Sequence, residues 1–113
     1  MKALNLTTRK ELAGDLKLAD TALLRLKGLL GRTSLHPGEG LWIKPCKGVH
    51  TFGMKFPIDI IFLDRNNFVV SIVRDLPPNR LTPLSFKAAS VLELPSNTVE
   101  MTAAGIGDEI EIA

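Results

Sequence analysis

Six consecutive residues, Ile58-Asp59-Ile60-Ile61-Phe62-Leu63, set the tightest limit on how this chain can fold. Side chains along a strand alternate between its two faces, so this run puts hydrocarbon on both. Such a strand must be flanked by other strands and covered above and below. Asp59 is the exception on its face, and a carboxylate entering a core strand needs a partner or an exit to water at the strand's end. Arg65-Asn66-Asn67 follows as a hairpin turn, because asparagine tolerates positive φ. The turn joins Ile58–Asp64 to a second strand, Phe68–Asp75, and these two are expected to form the core pair.

The remaining pattern is arranged around that pair. Leu4-Asn5-Leu6 and Leu16-Lys17-Leu18 alternate apolar with polar on either side of the polar cluster Thr7-Thr8-Arg9-Lys10-Glu11, which predicts a hairpin with one wet face. Asp20 or Thr21 is placed to cap a helix running to about Leu30, with Leu23, Leu26 and Leu30 at helical spacing and Gly31 as the stop. Arg25, Lys27 and Arg32 would be its solvent face and C-terminal charge complement. Thr33 to Gly40 reads as a loop turning at His36-Pro37-Gly38, and Leu41-Trp42-Ile43 as a short buried strand with Trp42 in the core. Prolines at 77, 78 and 83 make the segment from Leu76 to Leu84 a surface connection. Ser90 to Leu94 resumes as a strand in which Glu93 shares a face with Val91, at water or at a polar seam. Asn97 is expected to cap a short helix through about Ala104, closed by Gly105. Asp108 to Ile112 is a half-exposed edge strand. The expected fold is mainly β (α+β): a single small β barrel or roll, with one α-helix from the N-terminal half packed on it and a short C-terminal helical turn. A chain of 113 residues is expected to form one domain, residues 1–113, able to bury roughly 65% of its unfolded surface without metal or disulfide.

Charge and composition exclude more than they assign. The net charge is +2, but residues 1–92 carry +7 and residues 93–113 carry −5. The plain reading is a mutually screened surface; the sharper one is a basic face for an anionic ligand, with Lys44, Lys47 and Lys55 as its cations. With no tyrosine, 5% aromatic residues and no recognition-helix motif, nucleic acid is not an expected partner. A lone cysteine rules out an internal disulfide and fits a reducing compartment. No leader-like start and no membrane-length apolar run occur, so the expectation is a soluble, cytoplasmic monomer.

Candidate chemistry gathers between Pro45 and Asp64, which holds the chain's Cys46 and one of its two histidines, His50. Pro45, Gly48, Gly53 and the β-branched Val49 and Thr51 argue against a helix. In extended chain, Cys46, Gly48, His50, Phe52 and Met54 would point to one side. Cys46 and His50 suit a nucleophilic thiol with its base, oriented by Asp59. They also suit two ligands of a zinc or copper site, although such a site needs three or four ligands and His36, Asp59 or Met54 would have to complete it. Against both stands a structural role: Cys46 as a small buried hydrophobe, His50 bonded to a loop carbonyl, Met54 filling the core, and Asp59 and Asp108 anchoring loops. No cofactor is expected and no metal site is assigned. Two functional classes stay open. One is a non-catalytic binding module that takes a small anionic ligand or a protein partner through Lys47, His50, Met54, Lys55 and Asp59. The other is a Cys/His-dependent enzyme or metal-binding protein using Cys46, His50 and Asp59.

Four separated motifs add a family likeness. Leu26-Lys27-Gly28-Leu29-Leu30-Gly31-Arg32, His50-Thr51-Phe52-Gly53-Met54 with Phe56-Pro57-Ile58-Asp59-Ile60, Val91-Leu92-Glu93-Leu94, and Gly107-Asp108 together resemble the domain of unknown function 192 family. The likeness runs from about Leu16 onward. It implies a small, mainly β barrel or roll with one packed helix, and no established activity. Many members look exported, whereas this chain lacks a signal peptide. The usual family segment has a tryptophan before its methionine and an asparagine-threonine pair after it, so Cys46, His50 and Phe56-Pro57 look like a Cys/His-bearing branch.

Overall fold

A computed structural model describes residues 1–113. The strands are β1 (Ala3–Asn5), β2 (Lys10–Ala13), β3 (Asp15–Ala19), β4 (Glu39–Ile43), β5 (Ile58–Leu63), β6 (Val69–Leu76), β7 (Ser90–Pro95) and β8 (Ile110–Ile112). Two short helices are interposed, α1 (Ala22–Lys27) and α2 (Thr98–Thr102). The strands form two sheets, β2-β1-β8 and β3-β4-β7-β5-β6. Mainly β with two short helices is therefore the architecture, and neither sheet closes on itself into a barrel.

The two-sided apolar run behaves as its alternation requires. All six residues of β5 are buried, and so are all six of β7 beside it. Ile61, Leu63, Leu92 and Leu94 face one apolar layer, which also takes Ala3, Leu12, Leu16, Val99 and Ile110 from the small sheet and its neighbours. Ile58, Ile60, Phe62 and Val91 face a second layer, completed by Leu29, Val49, Met54 and Ala88 from the loops. The turn at Asn67 (φ 63°) leads into β6 as read from the sequence. However, β6 is a half-exposed edge strand, and the pair at the centre of both layers is β5–β7. Gly40 sits where β4 passes closest to the first layer: a Cβ there would lie 2.9 Å from Leu94 Cδ2 and 3.1 Å from Ala13 Cβ.

Three local expectations are corrected. The first hairpin joins β1 to β2, with Asn5 opposite Lys10, while Leu16-Lys17-Leu18 lies in β3 and pairs in parallel with β4. Alternation tells which face a residue takes, not which strand lies beside it. The helix stops at Lys27, with Gly28 (φ 50°) in place of Gly31 as its terminator, and it buries no residue. Leu23 and Leu26 are 76% and 69% exposed, so the leucine stripe is turned to solvent. Arg32 serves the following loop instead: its Nη2 donates to Glu39 Oε2 at 3.0 Å, and the His36 backbone N–H donates to Glu39 Oε1 at 2.8 Å. These bonds, the backbone one first, hold the Glu39 carboxyl below its ordinary range.

Asp59 is 1% exposed and faces the first layer, opposite Leu94. Its Oδ1 accepts from the Asp75 N–H at 2.8 Å and its Oδ2 from the Val99 N–H at 2.9 Å, tying the end of β6 and the start of α2 to the central sheet. Asp108 does similar work: its Oδ2 accepts from Asn5 Nδ2 and from the Gly105 N–H, both at 2.8 Å. Asp59→Ala would strand one buried and one part-buried backbone donor, and we expect chemical denaturation to show a loss of about 3 kcal/mol. A variant as stable as the parent would mean that these bonds are not the reason for the carboxylate.

Candidate functional site

Between α1 and the loop from Pro45 to Met54 lies a cavity of about 120 Å³ with Glu93 of β7 in its lining. The local sequence explains each wall. Thr21 caps α1 by accepting the Leu24 N–H at 3.2 Å, and Gly28 ends it with positive φ. Position 28 lies beside the carboxyl: a Cβ there would stand 3.9 Å from Glu93 Oε1. Because the leucines face outward, Arg25 is the least exposed residue of α1, and its Nη1 donates to the Pro45 carbonyl at 3.3 Å. The opposite wall is irregular chain stitched to the proline-rich segment. Thr51, fully buried, donates its hydroxyl to the Pro77 carbonyl at 2.7 Å, and the Val49 N–H donates to Thr82 Oγ1 at 2.9 Å.

Of the residues singled out in the sequence, Cys46, His50 and Met54 reach this cavity together. Cys46 is partly buried, its thiol donates to the Gly48 carbonyl at 3.1 Å, and burial pushes that thiol above its ordinary range, with the Glu93 carboxylate acting in the same direction. His50 is exposed and stacks on Phe52 at 5.6 Å between ring centroids. Met54 is buried in the second layer. Lys47 does not line the cavity: its Nζ donates to the Phe86 and Ala88 carbonyls at 2.9 and 2.7 Å, fastening the next loop. Lys55 is exposed and also outside the lining. Asp59 is on the other face of the sheet, since it stands opposite Leu94 while its neighbour Ile60 stands opposite Glu93. Cys46, His50 and Asp59 therefore do not converge, and no group of three or more His, Cys, Asp or Glu side chains is arranged to hold a metal ion.

Two residues carry what the sequence reading missed. Glu93 is 4% exposed, its Oε2 is buried without a partner, and burial lifts its carboxyl to about 7 from an ordinary 4.5. Arg25 Nε is likewise buried and unpartnered. A glutamate between Leu92 and Leu94 on the face of Val91 was the available signal for the first. Nothing local marks the second, because the helical spacing of the leucines points the wrong face inward.

An α+β protein of two open sheets, with a cavity floored by an unpaired carboxyl, is the class these features define. The DUF192 family model (Uncharacterized ACR) matches residues 4–112, and the chain belongs to that family. It is 32% identical over 113 residues to a "UPF0127 protein" of Thermococcus sibiricus, spanning 96% of this chain and 72% of that one. A "UPF0127 protein" of Pyrococcus furiosus is 29% identical, spanning 96% of this chain and 95% of that one. The crystal structure of a protein of unknown function from Novosphingobium aromaticivorans has the same fold, with a TM-score of 0.85 at 24% identity over 98% of this chain and 82% of that one. No helix is long and apolar enough to cross a membrane.

The lifted carboxyl makes stability depend on pH in a defined direction. An unfolded chain ionises Glu93 near 4.5 and the folded one near 7, so between these values the unfolded state loses its proton first and stability falls as pH rises. The full fall is about 3 kcal/mol, complete above pH 7. Thermal midpoints measured from pH 4 to 8 should show this contribution in the parent and lose it in Glu93→Gln, which should be the more stable of the two at pH 8. Parallel pH profiles would show that the carboxyl is not desolvated.

Proposed function

We propose that this chain is a non-catalytic binding module whose cavity beside α1 takes a small neutral polar molecule through a carboxamide or a like group. What carries the reading is that Glu93 Oε2 and Arg25 Nε, a carboxyl oxygen and a guanidinium N–H, are both buried and unpartnered among residues lining one concavity. Buried polar groups are nearly always satisfied, so such a pair marks a place where a ligand completes the hydrogen bonding. A carboxamide offers a donor and an acceptor in one plane without a charge to desolvate. An anionic ligand, which the basic residues of the sequence suggest, fits less well. Lys47 is committed to loop carbonyls and Lys55 stands outside the lining, so neither lysine is placed to answer a negative charge there. The enzyme reading is weakened by the same geometry, because a thiol pushed upward by burial and hydrogen-bonded to a carbonyl is a poor nucleophile at neutral pH.

Two measurements test this. In backbone amide NMR at pH 6, propionamide should shift the signals of Cys46, Gly48, His50 and Glu93 saturably, propionate and propylammonium should do so far less, and Glu93→Leu should abolish the response. If propionamide leaves those signals unmoved, or moves them equally in Glu93→Leu, the reading fails. Alkylation of Cys46 by iodoacetamide should accelerate only above the ordinary thiol range. A midpoint below pH 8 would restore the Cys/His enzyme in its place.

A further inference from the structure

A second concavity lies on the other side of the central sheet and has no part in the reading above. Its volume is about 240 Å³, and its lining includes Trp42 and Lys44 at the end of β4, Asp64, Arg65 and Asn67 of the hairpin turn, and Ser90 at the start of β7. Trp42 packs against the first apolar layer, and Ser90 pairs with Leu63, so both project away from the cavity that Glu93 floors. Each brings a polar atom the fold leaves idle. Ser90 is 4% exposed and its Oγ is buried without a partner; Trp42 Nε1 is in the same state. An indole N–H can only donate, so a ligand acceptor is what it lacks.

The charges nearby agree. Lys44 Nζ is held 4.2 Å from the centre of the Trp42 ring, which fixes an ammonium at the cavity by cation–π attraction. Arg65 supplies a guanidinium from the exposed turn. The one carboxylate present, Asp64, spends its Oδ1 on the Asn66 and Phe68 N–H groups, both at 2.9 Å, as the staple of the turn. Two cations and two unengaged hydroxyl or indole donors thus face one partly committed acid. We propose that this concavity binds a small organic oxyanion, with the head group held by Trp42 Nε1, Ser90 Oγ, Lys44 and Arg65. The concavity, about 240 Å³, has room beside the head group for an organic tail. Phosphate esters and carboxylates share this chemistry.

Trp42 is the chain's single tryptophan, which makes its indole N–H signal a direct reporter of the site. The full chain is titrated with inorganic phosphate and, separately, with acetate, each against sodium chloride of matched ionic strength. A saturable indole shift with phosphate or acetate beyond that of chloride is expected, and the tighter binder names the head group. Arg65→Gln, at an exposed turn position, should leave the thermal midpoint unchanged and weaken binding about tenfold. Lys44→Gln should weaken it to a similar degree. The proposal is overturned if the indole signal follows ionic strength irrespective of the anion, or if Arg65→Gln binds as tightly as the parent.

Discussion

Everything in this molecule depends on two neighbouring strands, β5 and β7, that are buried on both faces. A sheet in that position makes every polar side chain on it a problem of solvation, because either face leads into hydrocarbon. Asp59 and Glu93 occupy adjacent rungs of the β5–β7 ladder and point in opposite directions. The first has both oxygens answered by backbone N–H groups, and it locks β6 and α2 to the sheet. The second has no answer from the protein and stays near neutral by holding its proton. One rung of register separates an anchored carboxylate from an unpartnered carboxyl.

The cavity over Glu93 follows from connectivity. β3 and β4 are parallel neighbours, so the chain must leave the end of β3 and return to the start of β4, and α1 forms on that excursion. Placement by topology explains how a helix with no buried residue can lie there. It also explains why Arg25, bonded to the Pro45 carbonyl, is the side chain turned toward the protein. The facing wall is held by an antiparallel bridge of His50 to Leu81, with the Thr51 N–H donating to the Arg80 carbonyl and the Thr82 N–H to the Val49 carbonyl, both at 2.9 Å, and the hydroxyls of Thr51 and Thr82 extend it.

How far the sequence reveals this depends on whether a signal is local. The strands Ile58–Leu63 and Ser90–Leu94 and the Asn67 turn follow from periodicity and turn chemistry, which neighbours along the chain determine, whereas the short helix after Asn97 forms without the expected cap, since the Asn97 side chain makes no cap bond and Ala103 ends the helix in place of Gly105. The partner of Leu16-Lys17-Leu18 does not, because alternation is the same whether a strand pairs with β2 or with β4. The leucines of α1 mark a stripe but not whether anything covers it. Cys46, His50 and Met54, grouped in the sequence by alternation, line one cavity. Asp59 is excluded from it by a parity that needs the register with β7, and Lys47 by a bond to a loop 39 positions away. Arg25 and Glu93 become visible as a site only once helix and strand are brought together.

The two apolar layers share no residue, and the five-stranded sheet stands between them as a common wall. Changes on one side that spare the strand backbones reach the other only through that wall, so paired substitutions should combine additively when one is made in each layer. A family built on this plan is free to diverge one compartment at a time, keeping an old specificity on one side of the partition while selection tries out a new one on the other.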